Sequence, residues 1–218
     1  LKNWAPPPFA PTGVDAVLLT HAHIDHSGYL PALVKNGFHR KVFCSRATRE
    51  LAEILLLDAA HLQEEEANFA NKNRFSRHQP ALPLFTTEDA QAAIRLLHGV
   101  NYNLAVSVAP GVSATWRPNG HMIGSASIQV NAGGRSIVFS GDVGRPNDPL
   151  MRSPTPIEAA DYLVLESTYG NRRHPEDGTL DALREVINRT VARHGSVLIP
   201  AFAVGRAQTI LYYLYQLT

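Results

Sequence analysis

The chain has 218 residues, of which 44% are hydrophobic and 18% are charged. This is enough apolar material for one globular core, and too little charge for a disordered chain. The chain has 20 Lys and Arg residues and 19 Asp and Glu residues, and its net charge of +1 excludes a strong overall attraction to polyanions.

No apolar run approaches the ~18 residues that a membrane span needs, so we expect a cytoplasmic protein with no membrane partner. The chain contains ten histidines but only one cysteine, Cys44. A cysteine-based zinc site is thereby excluded, and any metal would be held by histidines and carboxylates. The chain begins at Leu1 and ends at Thr218 within a helix-like apolar run, from which we expect a fragment of a longer protein.

The first half of the chain alternates short β-branched runs with helical patterns, which predicts a mixed α/β layered domain. The predicted elements are a strand at Val14–Thr20, a helix at Ser27–Asn36, a strand at Lys41–Cys44, and helices at Thr48–Asn71 and Thr87–Leu97. The periodicity of the longest helix predicts one buried face and one acidic face turned to solvent. The buried face comprises Leu51, Ile54, Leu55, Ala59, Leu62 and Phe69, and the acidic face comprises Glu64, Glu65 and Glu66.

The second half is richer in strand patterns. The predicted elements are strands at Leu104–Val108, Val112–Arg117, Ala126–Asn131, Ser136–Ser140 and Tyr162–Glu166, a helix at Thr179–Arg193, a strand at Val197–Pro200 and a helix from about Val204. Small basic clusters occur at Arg40–Lys41, Lys72–His78 and Arg172–His174, and we interpret them as solvated surface.

Four candidate metal ligands follow the first predicted strand within six residues. In an extended segment His21 and His23 project to the same side, because side chains alternate along a strand. Asp25 and His26 lie in the turn that follows, and their side chains can face a second metal position beside the first. Imidazole and carboxylate suit zinc, and also manganese or iron, when thiolates are absent.

Two later loops also follow predicted strands and combine small residues with one polar side chain. They are Asn119–Ser125, which contains His121, and Ser140–Gly144, which contains Asp142. In this order, the HAHIDH segment at 21–26, Gly120-His121 and Ser140-Gly141-Asp142 resemble the metallo-β-lactamase superfamily. The ESTYG segment at 166–170 and the PAFAVGRAQ segment at 200–208 resemble its β-CASP branch, which comprises RNA- and DNA-processing nucleases.

The resemblance implies an αββα sandwich that is incomplete at both ends. It assigns residues 1–200 to the metallo-β-lactamase-like domain and 201–218 to the start of a β-CASP domain. It also implies two Zn²⁺ ions, with Mn²⁺ or iron as alternatives: His21, His23 and His121 would hold one ion, and Asp25, His26 and Asp142 the other. Asp142 would bridge the ions, Asp25 and Asp142 would serve catalysis, and Glu166 would orient a leaving-group histidine that this chain lacks.

The function implied is a zinc-dependent ribonuclease that hydrolyses single-stranded RNA with a hydroxide activated between two metals. A homodimer of the full-length protein stays open, and this fragment alone would be weakly active or inactive. Two alternatives stay open: a hydrolase of a small thioester or lactone with the same fold, and a non-catalytic scaffold subunit. We interpret the other histidines as surface or core residues: His39, His61, His78, His98, His174 and His194.

Overall fold

The computed structural model describes residues 4–173 and 178–218. Its first sheet has three parallel strands, in the order β1 (Val17–Leu18), β2 (Val42–Ser45) and β3 (Leu97–Val100). All four residues of β2 are buried, as expected for a central strand that is covered on both faces. The carboxyl ends of the strands share one edge of this sheet, and their amino ends share the opposite edge.

Helices cover one face of the first sheet. They are α1 (Ile24–Ser27), α2 (Leu30–Lys35), α3 (Arg46–Asn73) and α4 (Thr87–Ile94). The predicted helix at 27–36 corresponds to the shorter α2, and it is preceded by a separate one-turn helix, α1, that begins at Ile24. Helix α4 begins with a capping box, in which the Thr86 side chain accepts from Asp89 N and the Asp89 side chain accepts from Thr86 N.

The buried face of α3 matches the prediction only in part, because Leu51, Leu55 and Ala59 are partly buried and pack against the core. Ile54, Leu62 and Phe69 are 63%, 55% and 61% exposed, whereas Ala52, Leu56, Ala60, Ala67 and Ala70 are buried. Four of these five buried residues are alanines, which allow α3 to lie close to α4 and the sheet. Glu64 was also placed wrongly, because its carboxylate accepts from Thr87 N and Thr87 Oγ1 at the start of α4.

The second sheet has five strands in sequence order. They are β4 (Ala105–Ala109), β5 (Val112–Pro118), β6 (Ala126–Ala132), β7 (Arg135–Phe139) and β8 (Tyr162–Val164). Strands β4 to β7 pair antiparallel, and β8 joins β7 in parallel. The two sheets pack face to face through Phe43, Val100, Trp116 and Ile128, among others. The result is a layered α/β fold, as predicted.

Fewer side chains are buried in the last quarter of the chain than in the part before it. Helices α5 (Thr179–Val191) and α6 (Arg206–Gln216) form, but α5 fully buries only Thr190 and β8 is exposed along its length. The predicted strand at Val197–Pro200 is not formed, because this segment pairs with no strand in the described residues, and Leu198 is 90% exposed. Among the described residues, no helix is both long and apolar enough to cross a bilayer.

A candidate metal centre at the carboxyl edge of the first sheet

His21 and His23 follow β1 where it reaches the edge of the sheet. The chain is fixed there because Trp116 Nε1 donates to Leu19 O at 3.1 Å and Ala126 N donates to Thr20 O at 2.9 Å. His21 is completely buried, and its Nδ1 lies 3.1 Å from Thr20 Oγ1. This contact leaves His21 Nε2 as the nitrogen free to bind a ligand.

Four side chains from three separate segments converge at this point. One ligand atom from each of His21, His23, His121 and Asp142 lies within 4.8 Å of every other. His121 Nε2 lies 3.1 Å from His23 Nδ1 and 3.6 Å from Asp142 Oδ2, and His21 Nε2 lies 3.8 Å from the same oxygen. The structure therefore brings together the three predicted histidines and Asp142.

These four residues fit a divalent metal ion. In a tetrahedral zinc site with bonds of about 2.0–2.1 Å, neighbouring ligand atoms lie about 3.3 Å apart, close to the observed separations. His21 Nε2 is buried and has no hydrogen-bond partner in the described structure. A buried nitrogen without a partner is costly, and a bound cation would provide the missing interaction. The donor set of imidazoles and one carboxylate suits zinc, manganese or iron.

Asp25 and His26 form a second, more open group beside the first. His26 Nε2 lies 3.3 Å from Asp142 Oδ1 and 3.5 Å from Asp25 Oδ2. The side chain of His26 is 28% exposed and that of Asp25 is 78% exposed. The two oxygens of Asp142 thus face different groups, one towards His21 and His121 and the other towards His26.

Asn119 connects the loops that carry His121 and Asp142, a role that our sequence reasoning missed. This buried side chain donates through Nδ2 to Ser140 O at 2.9 Å and to Asp142 O at 2.8 Å. Its Oδ1 accepts from His121 N at 3.4 Å. Asn next to Gly is common in turns, so the sequence offered no signal beyond the loop pattern itself.

The backbone around His121 is also held by small residues and hydroxyl groups. Ser45 Oγ and Thr48 Oγ1, at the start of α3, both donate to Gly124 O, at 2.6 and 2.7 Å. Gly124 has φ +88°, and a Cβ there would lie 2.5 Å from Thr48 N. Across the site, a Cβ on Gly144 would overlap the carbonyl of Gly120. These close approaches fix the two loops relative to each other.

Glu166 lies next to the Asp142 loop. Its Oε1 accepts from Val143 N at 2.6 Å, and its own backbone N donates to Ser140 Oγ at 3.0 Å. The carboxylate thus holds the residue after Asp142, and it partly opposes the burial that lowers the pKa of His121. The structure therefore brings Glu166 to the edge of the candidate centre.

Burial favours the neutral form of two of these imidazoles. Burial, together with the neighbouring imidazoles of His26, His121 and His23, lowers the pKa of His21 to about 2. Burial also lowers the pKa of His121, although the Asp142 carboxylate acts in the opposite direction. A metal ligand must offer an unprotonated nitrogen, so these environments favour metal binding at neutral pH.

The remaining histidines that the structure describes lie outside the cluster. His39 contacts Gly37 O, His61 faces Glu65 and the His98 ring packs against Phe43. His174 lies outside the described residues, as does part of the basic cluster at Arg172–His174.

Comparison with known proteins gives a consistent result. The sequence profile described as "Metallo-beta-lactamase superfamily" matches residues 8–193. Ribonuclease TTHA0252 of Thermus thermophilus is 38% identical over 98% of this chain and 46% of its own length. Transcription termination factor FttA of Methanococcus maripaludis is 31% identical over 95% of this chain and 32% of its own. Endoribonuclease YSH1 of Eremothecium gossypii is 32% identical over 92% of this chain and 26% of its own. The chain thus spans less than half the length of these relatives.

Proposed function

This chain belongs to the metallo-β-lactamase superfamily, and we propose that it is the metal-bearing part of a β-CASP ribonuclease that hydrolyses single-stranded RNA. The observation that supports this most directly is the convergence of His21, His23, His121 and Asp142. The names of similar proteins, a ribonuclease and an endoribonuclease, favour RNA as the substrate class.

We assign His21, His23 and His121 to one Zn²⁺ and Asp25, His26 and Asp142 to a second, with Mn²⁺ or iron as alternatives. Asp142 suits the position between the two ions because its oxygens face the two groups separately. Paired divalent ions supply a water molecule ionised near pH 7 and neutralise charge on a phosphate that is being cleaved.

The protein's own residues orient this chemistry. The His21 imidazole is kept unprotonated by burial, and Asn119 holds the two ligand loops at a fixed separation. The exposed Asp25 carboxylate lies on the solvent side, where a substrate arrives. Glu166 fixes Val143 and, in the proposed enzyme, orients a histidine from the remainder of the protein that protonates the leaving oxygen.

Two alternatives use the same residues differently. A thioester or lactone hydrolase would need the same ligands, so it is distinguished by substrate rather than by the centre. A scaffold subunit would not need an intact ligand set, and all six proposed ligands are present in this chain. We place the complete enzyme in the cytoplasm. A homodimer of the complete enzyme stays a prediction.

The test compares labelled single-stranded RNA and a thioester as substrates of the complete protein, with and without a chelator. We expect chelation to abolish RNA cleavage and added Zn²⁺ or Mn²⁺ to restore it. His23→Ala should lose cleavage and bound metal, while the matched His61→Ala variant on the exposed face of α3 should keep both. RNA cleavage that survives both chelation and His23→Ala would contradict the proposal, and turnover of the thioester alone would support the alternative hydrolase.

A further inference from the structure

A groove lined with basic side chains lies at the edge of the fold opposite the metal centre. Its volume is about 410 Å³, and its lining includes Arg40, Lys41 and Arg95. Lys41 directly precedes β2, and Arg95 lies just before β3. These are the amino ends of parallel strands, whereas His21 follows the carboxyl end of β1. At about 3.3 Å per residue, the length of β2 alone separates Lys41 from Ser45 by about 13 Å.

The three cations of this groove are not neutralised by the protein. In residues 4–173 and 178–218, none of Arg40, Lys41 and Arg95 forms an ion pair, and all three are exposed. Asp15 is the one carboxylate among the lining residues. The groove therefore carries a local positive excess on a chain whose net charge is only +1. Nearby charges of one sign in a concave surface concentrate counter-ions there.

An aromatic side chain forms part of the base of this groove. Phe43 is only 5% exposed, with Lys41 Nζ 6.0 Å from its ring centroid and the His98 ring 5.3 Å away, edge to face. The Lys41 ammonium thus lies over the face of the Phe43 ring, and the residue stays exposed. This contact restricts the lysine and lowers the entropic cost of binding an anion.

The chemistry of these groups matches phosphate. Guanidinium groups bind phosphate oxygens in pairs, and an ammonium adds a compact charge. The volume also exceeds a single phosphate and falls in the range of clefts that hold a nucleotide-sized group. We infer that this groove binds the phosphates of single-stranded RNA, as a second contact remote from the metal centre. The inference rests on the proposed function, because that function supplies the polyanion.

The chain itself offers a matched control. Lys72, Arg74 and Arg77 also comprise one lysine and two arginines, and they lie exposed at the end of α3 and in the loop that follows. The experiment measures binding of a fluorescein-labelled 20-nucleotide RNA by anisotropy across a salt series, with EDTA present to prevent cleavage. It compares the intact protein with the triple variants R40Q/K41Q/R95Q and K72Q/R74Q/R77Q. Circular dichroism verifies that both variants are folded.

We expect the groove variant to reduce the slope of log affinity against log salt by about two, since each neutralised phosphate contributes roughly 0.7 for a single strand. The control triple should change the slope much less. Equal losses in both triples, or an unchanged slope in the groove variant, would overturn the inference. AMP is titrated in parallel: if AMP binding depends on the three cations and RNA binding does not, the groove binds free nucleotides and the inference is wrong.

The same proteins separate this inference from the proposed function. If RNA binding depends on the three cations but no cleavage occurs in the presence of metal, the proposed nuclease function is wrong and RNA binding by the groove is supported. If the groove variant cleaves RNA normally and its salt slope is unchanged, RNA binding by the groove is wrong and the nuclease function is supported.

Discussion

The candidate metal centre has two halves that differ in burial, one formed by His21, His23 and His121 and the other by Asp25 and His26. His21 is fully buried and its ring is held on both sides, by Thr20 and by the neighbouring imidazoles. Asp25, in contrast, is 78% exposed and contacts only His26 among the described ion pairs. The first half therefore has its geometry before any ligand arrives, whereas the second must be organised partly by what binds.

This difference predicts unequal affinities. A site that is already arranged loses little conformational freedom on binding, whereas an exposed carboxylate must be immobilised. We therefore expect the His21 half to retain its ion at lower free metal concentrations than the Asp25 half. Asp142 contacts both halves, so a substitution there should affect metal binding in both of them.

The largest effect is expected from Asp142→Asn, because both halves lose the negative charge between them. Metal content should fall in both halves, and RNA cleavage should fall by at least about 100-fold, since even the partners of metal ligands contribute 10–100-fold. Elemental analysis of purified protein and a labelled-RNA assay measure this. Asp58→Asn, an exposed change on α3, is the matched control. Wild-type metal content in D142N would show that Asp142 is not a ligand.

A smaller effect is expected from His26→Gln, which affects only the open half. About one of two ions should remain bound and continue to raise the melting temperature, while RNA cleavage falls by roughly 10–100-fold. Metal titrations followed by calorimetry measure the two affinities separately. His61→Gln, at an exposed histidine on α3, should leave both metal affinities and RNA cleavage unchanged. Loss of both ions in H26Q would show that the two halves are not independent.

The smallest effect concerns pH in the metal-free protein. The unfolded chain binds a proton at His21 below about pH 6.5, whereas burial keeps the folded pKa at about 2. The unfolded state thus binds more protons between these values, so the free energy of unfolding falls as pH decreases below 6.5, by up to about 1.4 kcal/mol per pH unit. Urea unfolding in EDTA at pH 7.5 and 5.5 measures this.

In the same experiment His21→Gln should show a weaker pH dependence, and His61→Ala should behave as the wild type. If H21Q does not fold, NMR titration of the wild-type protein provides the readout, because the His21 ring should stay neutral at pH 5. Protonation of this ring near pH 6.5 in the folded protein would contradict its burial.

The features that the sequence predicted well are those set by local pattern. The alternation of side chains after β1 predicts that His21 and His23 project to the same side, and their ring nitrogens do lie close together. The Gly-His and Gly-Asp loops follow strands β5 and β7, as predicted. Only the resemblance indicated that the two loops lie next to His21, up to some 120 residues away in sequence, because separation along the chain does not specify distance in space.

The features that the sequence did not predict depend on packing partners. The sequence pattern of α3 predicts that Ile54, Leu62 and Phe69 are buried, but the close approach to α4 places alanines at the contact and leaves these three exposed. The segment Val197–Pro200 has strand composition, yet a strand also needs a neighbour to pair with. Glu64 and Asn119 act through backbone groups distant in sequence, and no local pattern identifies such partners.

Gly144 illustrates a constraint on sequence change that arises from space rather than from backbone conformation. Its φ lies outside the left-handed region, so by conformation alone any residue could occupy it. A single methyl group there would nevertheless force apart the Gly120 backbone and the loop that carries Asp142. In a library of random substitutions selected for metal-dependent activity, we therefore expect position 144 to accept no replacement. At Gly133 and Gly134 a side chain would meet no neighbouring atom, and only the left-handed backbone restricts the choice, so Asn and Asp should be tolerated there.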